Sequence, residues 1–285
     1  MVIGFDTRKT SPAYAQAASR GGMDAGADIL SIGMAGTEEM YWAVTEFGAS
    51  AGIEVTASHN PINYNGMKIV KSGSRPLDIA SDFEFIKALA ESCQWKEPGR
   101  YSQFLDISTE ARTKYVNQVL SFVDMAQLVP LKIVINPGNG TAGPTINSII
   151  DQLSKHSSKI EFIKIHDHPD SSFPNGIPNP LLPKNHSDTA DVVLRHNADM
   201  GVAFDGDFDR CFFFDNEGTF VPSEYIVGIL ASCFLDKEAG GKIVHDPRVI
   251  WNTQDIVASK GGITIQSKTG HSFIKQTMRA HGAIY

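Results

Sequence analysis

A serine, a histidine and an asparagine stand side by side just after an apolar run, in the segment EVTASHNPINYNG. The serine, Ser58, has the chemistry of a nucleophile. Its neighbour His59 is badly placed to act as its base, because successive side chains of an extended segment point to opposite faces. Pro61 disfavours helix at the residue before it, so we predict a strand followed by a loop. The role of Ser58 must then depend on residues elsewhere in the chain.

Three aspartates occur at alternate positions in the segment FDGDFDR, which follows the apolar run MGVAF. In extended backbone this spacing points the carboxylates of Asp205, Asp207 and Asp209 the same way. Such a group repels itself unless a divalent cation lies among its oxygens. Ligands that are all oxygen favour Mg²⁺, Ca²⁺ or Mn²⁺ over zinc. An EF-hand is excluded, because its loop requires a glycine and a glutamate that are missing here. The alternative is a solvated acidic turn.

The two motifs explain each other if Ser58 carries a phosphoryl group, which has a charge of about −1.5 to −2 at neutral pH. A divalent ion would bridge that group and the aspartates. Arg210 and Lys68 are natural partners for the remaining negative charge. We therefore interpret Ser58 as a phosphate carrier and not as a hydrolytic nucleophile.

Strand-like runs recur along the chain, with helical patterns between them. The runs lie at 2–5, 27–33, 53–57, 131–135, 160–165, 200–204, 242–245 and 262–265. A capping-box pattern, Ser81 to Glu84, predicts a helix start, and further helices are predicted from Pro144 and from Ser223. This alternation is typical of α/β layers on mixed or parallel sheets.

Two polar, turn-rich segments, at 94–103 and 215–224, predict domain boundaries near 104 and 219. The predicted domains are therefore 1–104, 105–219 and 220–285. Two glycine- or histidine-rich segments are interpreted as structural: NPGNGTAGP as a turn before a helix, and HDHPD as a solvated turn.

Composition allows a globular protein of two or three domains: 285 residues, 42% hydrophobic and 20% charged. A net charge of −7 argues against a nucleic-acid partner, which would require clustered Lys and Arg. Three widely spaced cysteines favour unpaired thiols in a reducing compartment. The first residues contain no signal-peptide core, and the longest apolar run is too short to span a bilayer. We predict a cytoplasmic protein without a membrane or nucleic-acid partner.

At these motifs the sequence resembles the α-D-phosphohexomutase superfamily. The segment TASHNPINYNGMKIV (56–70) is similar to its phosphoserine loop, and DGDFDR (205–210) to its metal-binding loop. FPNGIPNPL (173–181) and SKTGHSFIK (267–275) are similar to further segments of the family. The resemblance follows the same order along essentially the whole chain and leans toward the phosphomannomutase and phosphoglucomutase branch.

The resemblance implies three consecutive α/β domains, the third incomplete, of a four-domain architecture with mixed sheets and helices on both faces. It implies an enzyme that interconverts hexose 6-phosphate and hexose 1-phosphate through a hexose 1,6-bisphosphate, with mannose or glucose as the sugar. It also implies roles for individual residues. The metal ligands for Mg²⁺ are Ser58, Asp205, Asp207 and Asp209, the catalytic residues are Ser58, His59, Lys68 and Arg210, and the substrate-binding residues are Lys268, His271 and Arg248. For Arg248 a surface role is the open alternative.

By the same resemblance, an opening segment before Met1 and a fourth, phosphate-binding domain after Tyr285 are missing. We therefore expect this chain to be impaired or inactive by itself. Two other functions remain open: a Mg²⁺-dependent phosphatase that forms a phosphoserine, and a non-catalytic protein that binds sugar phosphates.

Overall fold

The computed structural model describes residues 1–94 and 102–285. They form two compact units, Met1–Thr219 and Phe220–Tyr285. Most of the predicted boundary segment at 94–103 lies outside the described residues.

The strands are β1 (Val2–Phe5), β2 (Ile29–Met34), β3 (Ala51–Val55), β4 (Met67–Lys71), β5 (Arg75–Pro76), β6 (Phe104–Asp106), β7 (Leu131–Asn136), β8 (Ile160–Lys164), β9 (Met200–Phe204), β10 (Cys211–Phe214), β11 (Phe220–Val221), β12 (Lys242–His245) and β13 (Ile263–Gln266). The helices are α1 (Ser11–Asp24), α2 (Thr37–Glu46), α3 (Glu84–Ser92), α4 (Ser108–Leu120), α5 (Ala142–His156), α6 (Ser187–His196), α7 (Ser223–Lys237), α8 (Trp251–Ser259) and α9 (His271–His281).

The first sheet has the strand order β5-β4-β3-β1-β2-β6. The strands β1, β2, β3 and β6 run parallel, whereas β4 is antiparallel to β3. Neighbouring residues of β1 face opposite sides, as the strand pleat requires. Val2 packs in a core with α2 and α4, and Ile3 packs in a second core with α1. The predicted mixed sheet with helices on both faces is therefore confirmed.

The second sheet contains β8, β7, β9 and β10 in this spatial order. The strands β8 and β9 run parallel to β7, and β10 is antiparallel to β9. Apolar residues of α6, including Val192 and Val193, pack on Val134 of β7. The antiparallel β9–β10 pair holds the aspartate segment at its turn.

The second unit is built on the parallel pair β12 and β13. Its core joins Ala231 and Leu235 of α7 to Ile243 of β12 and Val257 of α8. The helix α7 begins at Ser223, as predicted. Among the described residues, no helix has both the length and the apolar character needed to cross a membrane.

The predicted capping box at Ser81 is wrong. A π-helical turn precedes α3, and its cap is Asp78, one turn earlier. The Asp78 carboxylate accepts hydrogen bonds from both the backbone N–H and the hydroxyl of Ser81, each at 2.9 Å. Because aspartate caps a helix as well as serine does, the earlier residue takes the role.

Candidate active site

Ser58 follows β3 in a strained turn. Its φ of +49° lies in the left-handed region that a non-glycine residue rarely adopts. The Ser58 N–H donates to the Thr56 hydroxyl at 2.8 Å, and that hydroxyl donates to the Asp6 carboxylate at 2.7 Å. These two buried hydrogen bonds stabilise the turn, and only 9% of the Ser58 surface is exposed to solvent.

The left-handed turn brings His59 beside Ser58. The distance from Ser58 Oγ to His59 Nδ1 is 3.1 Å, within hydrogen-bonding range. The expectation that the two side chains diverge was wrong, because it assumed extended backbone at Ser58. Burial, and then the nearby Arg210, lower the pKa of His59. This shift favours the neutral ring. Because a guanidinium can only donate, Nδ1 accepts from Arg210, and in the neutral ring the proton then lies on Nε2.

The three aspartates converge, but not by the expected route. Residues 205–210 form a turn between β9 and β10, with a φ of +41° at Phe208, and not an extended segment. Ligand oxygens of Asp205, Asp207 and Asp209 nevertheless lie within 4.8 Å of one another. Asp205 and Asp207 are fully buried. The turn folds the carboxylates together where alternation along a strand would have spaced them apart.

Two cations neutralise part of this cluster. Lys68 Nζ donates to Asp207 at 2.6 Å and to Asp209 at 2.7 Å. Arg210 Nη2 donates to Ser58 Oγ at 2.8 Å and to Asp205, whose carboxylate also accepts from the Ser58 hydroxyl at 2.7 Å. Burial, and then repulsion from the other aspartates, raise the pKa of Asp205 to about 7. Burial opposes the charge of Lys68, yet Asp207 and Asp209 raise its pKa above the usual lysine value.

The side-chain oxygens of Asp205, Asp207 and Asp209 are suitable ligands for a divalent cation. All three side chains offer oxygen, the ligand that hard cations prefer. Asp207 Oδ1 is buried and has no hydrogen-bond partner among the described residues. A buried carboxylate oxygen without a partner is costly, and a cation would satisfy it.

Arg8, which the sequence analysis missed, clamps the Ser58 loop from behind. The side chain is only 2% exposed. Its two terminal nitrogens donate to four backbone carbonyls of the loop, those of Ser58 (2.9 Å), Asn60 (2.5 Å), Pro61 (2.8 Å) and Tyr64 (3.0 Å). Asp6 lies beside it, 3.4 Å from Arg8 Nε. The signal was present in the sequence: Asp6-Thr7-Arg8 directly follows β1, and polar residues at the carboxyl ends of parallel strands mark sites.

Two glycines let the loops approach closely. A Cβ on Gly206 would lie 2.7 Å from the Ser58 carbonyl oxygen. A Cβ on Gly140 would lie 2.7 Å from the Gly206 carbonyl oxygen, which also accepts from the Thr141 N–H at 3.1 Å. The segment NPGNGTAGP thus packs against the aspartate turn, as a turn before α5. The segment HDHPD also forms a loop, in which the backbone carbonyl of His168 accepts a hydrogen bond from the Asn139 side chain.

The three predicted substrate-binding residues lie in the second unit. Arg248 is 73% exposed and donates twice to the Asp246 carboxylate, at 2.8 and 2.9 Å. The ammonium of Lys268 lies 5.8 Å from the centre of the Phe273 ring. His271 is the first residue of α9. Within this unit, Arg248 lines an open cavity with Tyr225 and Trp251.

Comparison with known proteins gives consistent results. The models of the phosphoglucomutase/phosphomannomutase alpha/beta/alpha domains I, II and III match residues 1–94, 113–218 and 222–285. Phosphomannomutases from Salmonella montevideo and from Escherichia coli K12 are each 49% identical to the chain, covering 100% of it and 62% of the relative. The structure of a phosphoglucomutase/phosphomannomutase family protein from Burkholderia thailandensis superposes with a TM-score of 0.88 at 27% identity, covering 99% of this chain and 60% of that one. The chain thus spans about three fifths of the length of the proteins that it matches.

Proposed function

The chain belongs to the phosphoglucomutase/phosphomannomutase family, and we propose that the protein interconverts the 6-phosphate and the 1-phosphate of mannose or glucose. One observation carries this proposal. Ser58 Oγ lies 2.7 Å from Asp205 and 2.8 Å from Arg210, beside three converging carboxylates and at the end of a strained turn. Such a serine is placed to carry a phosphoryl group. No feature of the described residues favours the phosphatase or the non-catalytic alternative.

In the proposed reaction, Ser58 exchanges one phosphoryl group with the sugar. Phospho-Ser58 gives its phosphoryl to a hydroxyl of the hexose monophosphate, so that the bond from phosphorus to Ser58 Oγ breaks and the bond to the sugar oxygen forms. The hexose 1,6-bisphosphate then reorients and returns its other phosphoryl to Ser58. In the first of these two transfers the sugar hydroxyl loses a proton and Ser58 Oγ gains one. His59, whose Nδ1 lies 3.1 Å from Oγ, is the candidate to carry that proton, and for this Nδ1 must exchange its contact with Arg210 for one with Oγ.

The charged side chains around Ser58 position the group and offset its charge. Arg210 already donates to Ser58 Oγ, and from there it can bind a phosphoryl oxygen. Lys68 holds Asp207 and Asp209 together. Asp205, Asp207, Asp209 and a phosphoserine oxygen would hold Mg²⁺. When bound, Mg²⁺ offsets the charge of the phosphoryl group and polarises its phosphorus.

Residues outside the Ser58 site are assigned by the same family relationship. We assign sugar and phosphate contacts to Lys268, His271 and Arg248. We also propose domain divisions near 104 and 219, and the bounds of the three family matches support these divisions. A cytoplasmic location, expected from the cysteine usage, belongs to the same proposal.

Phosphoryl labelling tests the proposal directly. The chain is incubated with Mg²⁺ and a glucose 1,6-bisphosphate labelled in both phosphates, and the labelled peptide is identified by mass spectrometry. We expect the label on Ser58 and none in Ser58→Ala. A matched control is Ser19→Ala, which should keep the label. It removes a buried hydroxyl that, within the described part of the chain, donates only to a carbonyl of its own helix. Label on another residue, or its persistence in Ser58→Ala, would contradict the assignment.

A further inference from the structure

Thr37, the first residue of α2, contacts both a metal-ligand candidate and the lysine beside it. The side chain is fully buried. Its hydroxyl donates to Asp207 Oδ2 at 2.6 Å and accepts from Lys68 Nζ at 3.0 Å. Its backbone N–H donates to the Asp207 carbonyl at 3.1 Å. One residue therefore restrains Asp207 at the main chain and at the side chain.

These contacts fix which Asp207 oxygen faces the cluster. Oδ2 accepts from the Thr37 hydroxyl and from Lys68, whereas Oδ1 is buried and has no partner in the part of the chain that the structure describes. A rotation of the carboxylate would break both hydrogen bonds of Oδ2. The Thr37 hydroxyl thus holds Oδ1 in the position where a cation would use it.

The same hydroxyl completes the coordination of Lys68. An ammonium has three protons to donate. Lys68 gives them to Thr37, Asp207 and Asp209. Without the Thr37 oxygen, one proton would lose its acceptor, and the ammonium could turn away from the bridge between the two aspartates.

The start of α2 is itself rigidly held. A Cβ on Gly36 would lie 2.3 Å from the Phe208 ring, so the helix start touches the aspartate turn directly. Buried Glu39 accepts from the Gly36 N–H at 2.9 Å, and its other oxygen accepts from the Thr145 hydroxyl of α5 at 2.8 Å. The first turn of α2, which includes Thr37, therefore contacts both the aspartate turn and α5.

We propose that Thr37 is a positioning residue of the cation site, whose hydroxyl orients Asp207 and Lys68 and thereby sets the affinity for a divalent cation. The proposal rests on the proposed function, because it takes the aspartates as metal ligands. It differs from a purely structural role of a buried threonine, which would affect unfolding and leave cation binding unchanged.

The test compares three substitutions by calorimetric titration with Mg²⁺ alone. Thr37→Val keeps the shape and removes the hydroxyl, and it should weaken Mg²⁺ binding by about 10- to 100-fold, the usual effect of losing a partner that orients a metal ligand. Thr37→Ser keeps the hydroxyl and should remain near the wild-type affinity. The matched control is Thr253→Val, since Thr253 is fully buried and its hydroxyl has no hydrogen-bond partner within residues 1–94 and 102–285. It should leave the affinity unchanged.

Thr37→Cys gives a second comparison if Thr37→Val does not fold, and its weak S–H donor should produce a smaller loss in the same direction. Asp207→Asn is the positive control and should weaken binding strongly. Wild-type Mg²⁺ affinity in folded Thr37→Val, a lower melting temperature alone, or equal losses in Thr37→Ser and Thr37→Val would each overturn the proposal. Wild-type protein that does not bind Mg²⁺ would overturn it as well. The expected ranking of affinities without any label on Ser58 would instead support Thr37 and contradict the proposed function.

Discussion

Arg8→Lys is the sharpest test of the clamp behind Ser58, because it keeps the charge and removes the geometry. The guanidinium reaches four carbonyls of the loop. A lysine ammonium is a point charge and cannot span them. If two of the four charge-assisted hydrogen bonds are lost at about 1.5 kcal/mol each, the free energy of unfolding falls by about 3 kcal/mol. For a unit of this size (Met1–Thr219) each kcal/mol lowers the melting temperature by roughly 2–4 °C, which gives a fall of roughly 6–12 °C.

Differential scanning calorimetry measures the global effect, and amide hydrogen exchange locates it. We expect faster exchange in residues 58–64, because their carbonyls lose the group that ties them together. The matched control is Arg75→Lys. Arg75 is exposed, and among the described residues its side chain donates only to Ser72, so its replacement should change the free energy of unfolding by less than about 0.5 kcal/mol.

A result in which Arg8→Lys melts with the wild-type protein, and exchange in 58–64 is unchanged, would refute the clamp. A fall in melting temperature with exchange unchanged in the loop would also refute it. The destabilisation would then arise elsewhere, and the four carbonyl contacts would not restrain Ser58.

Two further predictions concern buried groups near the site. Gly206→Ala would place a Cβ 2.7 Å from the Ser58 carbonyl oxygen. We expect the free energy of unfolding, measured with urea, to fall by about 1–3 kcal/mol, and the labelling of Ser58 to slow. Wild-type values in both assays would show that the two loops need not touch. Burial, and then Asp207, raise the pKa of Glu54 well above its usual value, and neither carboxylate oxygen has a hydrogen-bond partner among the residues that the structure describes. Because the pKa of Glu54 is higher in the folded than in the unfolded state, this group lowers the free energy of unfolding increasingly as pH rises above about 4.3. Glu54→Gln cannot ionise and removes this loss of stability. The stability gain in Glu54→Gln should therefore be larger at pH 8 than at pH 5, and an equal gain at both would contradict it.

The sequence identified the two motifs because each is local. Ser58 lies within a short segment, and three aspartates lie within five positions, so that neither requires knowledge of distant contacts. The family and the α/β architecture follow from such segments in order, and the comparisons confirm both. The roles of the individual site residues remain predictions.

The residues that the sequence did not reveal depend on strand order. Arg8 reaches the Ser58 loop because β1 pairs with β3, which brings together residues about fifty positions apart. Thr37 reaches Asp207 across 170 positions. The placement of His59 depends on one dihedral angle, the φ of Ser58, which strand propensity cannot supply.

The charges around Ser58 explain why the proposed phosphoryl group and the cation belong together. Three aspartates face two cationic side chains, Lys68 and Arg210, so the cluster has a net charge of −1 when all are ionised. A phosphoryl group on Ser58 would add about −1.5 to −2 in a buried place, a cost that the two cations cannot offset alone. A divalent cation adds +2 and returns the total to about its starting value. Each partner therefore stabilises the other, and by linkage a phosphorylated Ser58 strengthens cation binding by the same factor by which the cation favours phosphorylation. The aspartates alone would attract a cation, and Arg210 alone would attract a phosphate. The arrangement of both around one strained serine is what supports the proposed phosphoryl transfer over simple binding of either.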